Sequence, residues 1–138
     1  MKRILLLIVL VSVFSCKQKI TEAHLSNLNG YWEIEKVELP DGDMKEYKVN
    51  ETIDFFKIEA NKGFRKKVMP QLDGTYLTND IQEDVVVVIK DGNASLQYKT
   101  TYAYWKEEII ELTKDKLVVK NQQEIEYYYK RPAKFSVK

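Results

Sequence analysis

The sequence predicts an all-β domain: an antiparallel up-and-down β-barrel of about eight strands behind a short N-terminal helix or tether. Three observations carry this. Segments rich in β-branched and aromatic residues recur at short intervals between Gly30 and Arg131, each bounded by turn residues. Side chains alternate at period two, with Ile125, Tyr127 and Tyr129 on one face and Glu124, Glu126 and Tyr128 on the other. No segment in this region has the period of a helix. A meander this long must protect its edge strands, and closing on itself does so.

In chain order, Thr21 to Leu28 suits one or two helical turns with Thr21 as N-cap. The first strand begins at Gly30-Tyr31-Trp32 and runs to Leu39, where Pro40-Asp41-Gly42-Asp43 supplies turn chemistry. Trp32 and Ile34 fall out of phase with Val37 and Leu39, so a bulge is expected near Glu35-Lys36. Residues 51–60 form the next strand, and 64–69 the one after, stopped by Pro70. Asp73-Gly74 turns the chain before 75–78. The β-branched run 84–90, the turn Asp91-Gly92 and the segment 94–100 together make a strong hairpin signal. Residues 102–112, 117–120 and 124–131 complete the set, with Lys114-Asp115 as a turn and Pro132 as the stop.

The N-terminus says where the chain goes. Lys2 and Arg3 precede an apolar run from Ile4 to Phe14, the arrangement of a secretion signal. As a helix that run would reach only roughly 16 Å, about half the hydrocarbon thickness of a bilayer. It is followed by Cys16, the one cysteine in the chain, so no disulfide framework is possible. Val13-Phe14-Ser15-Cys16 resembles the lipobox of bacterial lipoproteins, in the loose form familiar from Bacteroidetes. The resemblance implies a signal peptide over 1–15, cleavage before Cys16 and acylation of that residue, with 16–27 as a lipidated tether. Several acyl chains hold firmly where one alone is marginal. It also implies the cell envelope. Lys17 is not the aspartate associated with inner-membrane retention, and Lys17-Gln18-Lys19 lacks the acidic run linked to surface export, so the resemblance implies the outer membrane, facing the periplasm.

The loss of Lys2 and Arg3 with the leader takes the 22 basic residues to 20, against 21 acidic. A near-neutral chain gives no electrostatic case for nucleic acid. The remaining length is that of one domain, 28–138. Tyrosine is frequent, at nine residues.

Chemistry is sparse. The one histidine, His24, falls in the expected tether, so neither a histidine–cysteine metal site nor a Ser-His-Asp constellation can be assembled in the domain. No glycine-rich phosphate loop is present. Glu107, Glu108 and Glu111 share one strand, and charged strand residues ordinarily face water, which argues against a glycosidase pair. The reading is therefore no enzyme, no cofactor and no metal.

Gly30-Tyr31-Trp32 at the first strand, the eight-strand meander and the closing segment Leu112 to Arg131 resemble the lipocalin-like lipoproteins common in Bacteroidetes. That resemblance implies a barrel with one closed end, where Trp32 crosses the floor and Arg131 lies over its indole in a cation–π contact. It implies an open end that either holds one small ligand or is filled by side chains. Phe55, Phe56, Tyr102, Tyr104, Tyr127 and Tyr129 are the expected cavity residues, although aromatic stripes in strands commonly serve as core. The functional expectation is a membrane-anchored, non-catalytic binder of a small apolar or amphipathic molecule. The alternative is an envelope structural or protein-interaction module with a filled barrel.

Overall fold

The structure, a computed structural model, describes residues 17–133. The leader, the lipobox and Cys16 lie outside the described residues. Ten strands follow a short 3₁₀ helix over Glu22–Leu28: β1 Gly30–Glu38, β2 Met44–Glu46, β3 Ile53–Glu59, β4 Lys62–Pro70 and β5 Tyr76–Thr78. The remainder are β6 Glu83–Lys90, β7 Asn93–Lys99, β8 Tyr104–Leu112, β9 Lys116–Asn121 and β10 Glu126–Lys130. Neighbours pair antiparallel in the order β10-β9-β8-β7-β6-β4-β3-β1, and β10 pairs back onto β1 to close an eight-strand barrel. β2 and β5 are short additions, on β1 and β4 respectively. Among the described residues no helix is long and apolar enough to cross a membrane.

The core is one interior, filled from the closed end. Trp32, Leu96, Tyr98, Ile109, Leu112 and Leu117 are sealed from solvent and point inward from four strands, β1, β7, β8 and β9. β1 carries the bulge expected from its broken phase, with the register slipping between Ile34 and Lys36 against β10. A second bulge lies in β8, between Ile109 and Glu111, and restores Leu112 to the interior.

The stretch read as a tether departs from expectation. Ile20, Leu25 and Leu28 are buried in the core, so the segment plugs the closed end. The Gln18 side chain pairs with the Leu112 backbone, its Nε2 donating to the carbonyl (3.1 Å) and its Oε1 accepting from the amide (2.8 Å). Gln18 N–H donates to Ile110 O, and Ile20 N–H to Gly92 O. Lys17 forms an ion pair with Glu108 and donates to Asn93 Oδ1. The bulge in β8 frees the Ile110 carbonyl that Gln18 takes up, and composition alone gives no sign of that. The helix has Thr21 at its N-cap, and the Thr21 N–H donates to His24 Nδ1 (2.9 Å), so His24 serves to start the helix.

Candidate functional site

The closed end is built around Trp32. Its indole N–H donates to the Leu28 carbonyl (2.8 Å), and the Arg131 guanidinium lies over the ring, 3.6 Å from its centroid. Arg131 donates to the carbonyls of Asn27, Tyr31 and Lys114, tying the plug, β1 and the β8–β9 turn together. Gly30 adopts φ +107°, and a Cβ there would lie 3.2 Å from Arg131 Nη1, so glycine meets both a backbone and a space requirement. Burial pulls the Arg131 guanidinium's pKa down. The arrangement is a structural clasp without a free reactive group.

The opposite end is open, and its wall parts. β1 pairs with β3 only from Gly30 to Trp32; above the Trp32–Asp54 pair the two strands separate. Residues 44–52 span the gap. Tyr47 N–H donates to Glu35 O, and Asn50 Nδ2 donates to both Glu33 Oε1 and Ile34 O. Beneath this span lies a cavity of about 320 Å³ lined by Trp32, Tyr47, Asp54, Lys67, Tyr127 and Tyr129 among others. A trough of similar volume continues from it to the rim along Val37, Leu39, Met44 and Ile125, sharing Tyr47 and Tyr127 with the cavity.

Of the six aromatics expected around a cavity, Tyr127 and Tyr129 line it. Phe56 faces the interior below, 2% exposed, in the packed core. Phe55 is corrected to the outer face: successive strand residues point to opposite sides, and it packs on Tyr31, with ring centroids 4.9 Å apart. Tyr76 stacks on the other side of that outer Tyr31, at 4.0 Å. Tyr104 is corrected likewise. Its neighbour Trp105 pairs with Tyr98 and stacks on it at 5.3 Å, leaving Tyr104 outward. Tyr102 is in the β7–β8 loop, 97% exposed, and lines nothing.

Polar residues inside the barrel were not anticipated. Arg65 points inward over the Tyr98 ring (4.1 Å), donates to Glu83 (2.7 Å) and lies 3.7 Å from Glu107. Burial works against its charge, but Tyr98, Asp54, Glu83 and Glu107 outweigh that and raise its pKa. Asp54, 3% exposed, faces Lys67 Nζ at 2.6 Å. Glu107 is 8% exposed, correcting the expectation that the acidic residues of its strand face water. Neither the Tyr98 hydroxyl nor Glu107 Oε1 has a hydrogen-bond partner among the described residues. The signal that could have found Glu107 is its place in the inward series Trp105, Glu107, Ile109. No three His, Cys, Asp or Glu residues converge as a metal site would need, among the described residues.

Burial raises the Glu107 carboxyl pKa, against the opposing pull of Arg65. The folded state therefore holds that proton more tightly than the unfolded chain, and stability falls as pH rises from the unfolded to the folded value. Glu107→Gln should be more stable than the parent at pH 8 by about 1 kcal/mol. The gain should vanish below about pH 4, where both side chains are neutral. Urea unfolding at both pH values checks it; an equal difference at both would reject the burial argument.

Comparison with known proteins places this geometry. The lipocalin-like domain family matches residues 28–119. No curated protein matches the chain. A solved lipocalin-like protein from Bacteroides uniformis is similar with a TM-score of 0.50 and 12% identity, over 77% of this chain and 99% of its own. An uncharacterized protein from Bacteroides eggerthii aligns with a TM-score of 0.48 and 16% identity, over 76% of this chain and 99% of its own. At such identity the structural likeness speaks to the fold alone. With the family match spanning two-thirds of the sequence over a closed eight-strand barrel, the chain belongs to the lipocalin-like domain family.

Proposed function

We propose that the protein is a non-catalytic binding module that holds one small amphipathic molecule in the open end of its barrel. The observation that carries this is the parting of β1 and β3 above Trp32, which leaves a cavity of about 320 Å³ in an otherwise packed interior. That volume is at the small end of ligand pockets. Its walls set four aromatic side chains beside the polar Asn50, Thr52, Asp54 and Lys67, and the adjoining trough is largely apolar, so a molecule with a polar head and an apolar body fits both. Native mass spectrometry of protein purified under mild conditions tests it. A stoichiometric mass released on denaturation is expected. A bare mass, with no change in tryptophan emission across a panel of small amphiphiles, would turn the reading to the filled-barrel module.

The proposal includes the envelope. Cys16 is the acylation site, and the barrel is carried on the periplasmic face of the outer membrane. The sequence before Lys17 supports it. Cys16→Ser should move the protein from the membrane fraction to the soluble one; retention in the membrane fraction would reject the anchor.

A further inference from the structure

We propose that the cavity takes an organic cation: an amine whose ammonium pairs with Asp54 and whose apolar part lies along the trough beside Val37 and Ile125. This rests on the binding reading above and names the class of ligand.

Asp54 is the first reason. Its carboxylate is buried at the wall of the cavity, and a buried carboxylate needs a cationic or donating partner. The partner present is Lys67, whose ammonium faces Oδ1 at 2.6 Å in an ion pair without hydrogen-bond geometry. Lys67 lies directly across from Asp54 on β4, on the same inner face at the open end, and its side chain is 57% exposed, so it can swing out to water with its charge solvated. Its ammonium marks the place where a ligand's ammonium would sit.

The walls are the second reason. Trp32, Tyr47, Tyr127 and Tyr129 line the same cavity. Aromatic faces carry negative potential and attract cations, most strongly where water is excluded. A carboxylate among aromatic rings is the chemistry that recognises an amine. The one cation lining the cavity is Lys67, which Asp54 already engages, so an anion would find only neutral donors there.

The field at the mouth is the third. The connections at the open end, 39–52, 70–82, 100–103 and 121–125, carry seven acidic residues against two basic, Lys45 and Lys48. The described segments at the closed end, 17–29, 60–61, 91–92, 113–115 and 131–133, carry three acidic against four basic. In a chain of nearly zero net charge, the acidity is gathered where a ligand enters. Such a field concentrates cations at the entrance and repels anions.

Three probes of equal chain length test the assignment by calorimetry at low ionic strength: octylamine, octanol and octanoate. Octylamine should bind one to one, roughly tenfold or more tighter than the other two, the scale of one charge-assisted hydrogen bond. Asp54→Asn should erase that advantage, bringing octylamine to the level of octanol. Lys67→Met should strengthen octylamine binding by removing the competing ammonium. Should Asp54→Asn fail to fold, as judged by its melting curve, the Lys67→Met arm decides alone. Octanoate binding more tightly than octylamine, and weakened by Lys67→Met, would make this an anion site and overturn the proposal. Octanol equal to octylamine would also overturn it, while leaving the barrel a ligand binder. Failure of all three to bind would take down both this inference and the binding reading beneath it.

Discussion

Trp32→Ala should lower the stability of the barrel by about 3–5 kcal/mol, the cost of truncating a fully buried large aromatic. Three losses converge. The indole fills the centre of the closed end and is fully buried. Its N–H satisfies the Leu28 carbonyl at 2.8 Å, which would be left without a donor inside the plug. Its face supports the Arg131 guanidinium at 3.6 Å. Trp32→Phe keeps a ring beneath the guanidinium and loses the hydrogen bond and part of the volume, so its cost should fall well below that of alanine. Arg131→Lys offers the complementary check. It keeps the charge but lacks the planar fork that reaches the carbonyls of Asn27, Tyr31 and Lys114, and should destabilise by about 1–3 kcal/mol. Urea unfolding followed by circular dichroism reads all three. A Trp32→Ala midpoint equal to the parent's would show that the floor is not what holds the closed end.

What could be read in advance follows from which rules act locally. Turn chemistry is local, so the β6–β7 hairpin at Asp91-Gly92 was visible, with Asp84↔Lys99 to Lys90↔Asn93 in the observed register. The bulge at Glu35 was visible because it broke a two-residue phase. Strand phase elsewhere was harder to fix. Phe55 and Phe56 are adjacent and cannot both face inward; nothing in ETIDFFKIEA says which does until Asp54 is seen inside. In β8 both alternating sets mix apolar and charged residues, so Tyr104 and Trp105 were equally eligible. The barrel interior admits Asp54, Arg65 and Glu107 because partners from other strands surround them. Those partnerships span Asp54 to Glu107 in sequence, beyond any local pattern. The parting of β1 from β3 is likewise a property of the closed wall, and it is what creates the cavity.

A chain that begins at Asn29 should not fold cooperatively, although every barrel strand would remain. A polar tether could be cut away without consequence, and KQKITEAH reads like one. The packing says otherwise. Ile20, Leu25 and Leu28 are buried in the same core cluster as Trp32 and Leu112. At about 1.5–3 kcal/mol for each buried aliphatic side chain, their removal forfeits roughly 5–9 kcal/mol, comparable with the whole stability of a typical domain. The deletion also takes the Leu28 carbonyl from Trp32, the Asn27 carbonyl from Arg131, and the Gln18 side chain from the backbone of Leu112. A control separates loss of plug from loss of charge: substituting serine for Lys19, which is exposed and makes none of these contacts, should leave the melting temperature unchanged. The truncated chain should show no sharp thermal transition and should bind a dye for exposed apolar surface. A truncated chain that melts like the parent would restore the tether reading. The plug also constrains the proposed anchor. Lys17 is fixed to the wall by Glu108 and Asn93, one residue from Cys16. An acylated Cys16 therefore leaves the barrel almost no slack, and the side of the barrel carrying β7 and β8 would lie nearest the membrane. Inserting a Gly-Ser linker between Cys16 and Lys17 should then change protease access to the β7–β8 face in intact membranes, while the melting temperature of the barrel stays the same.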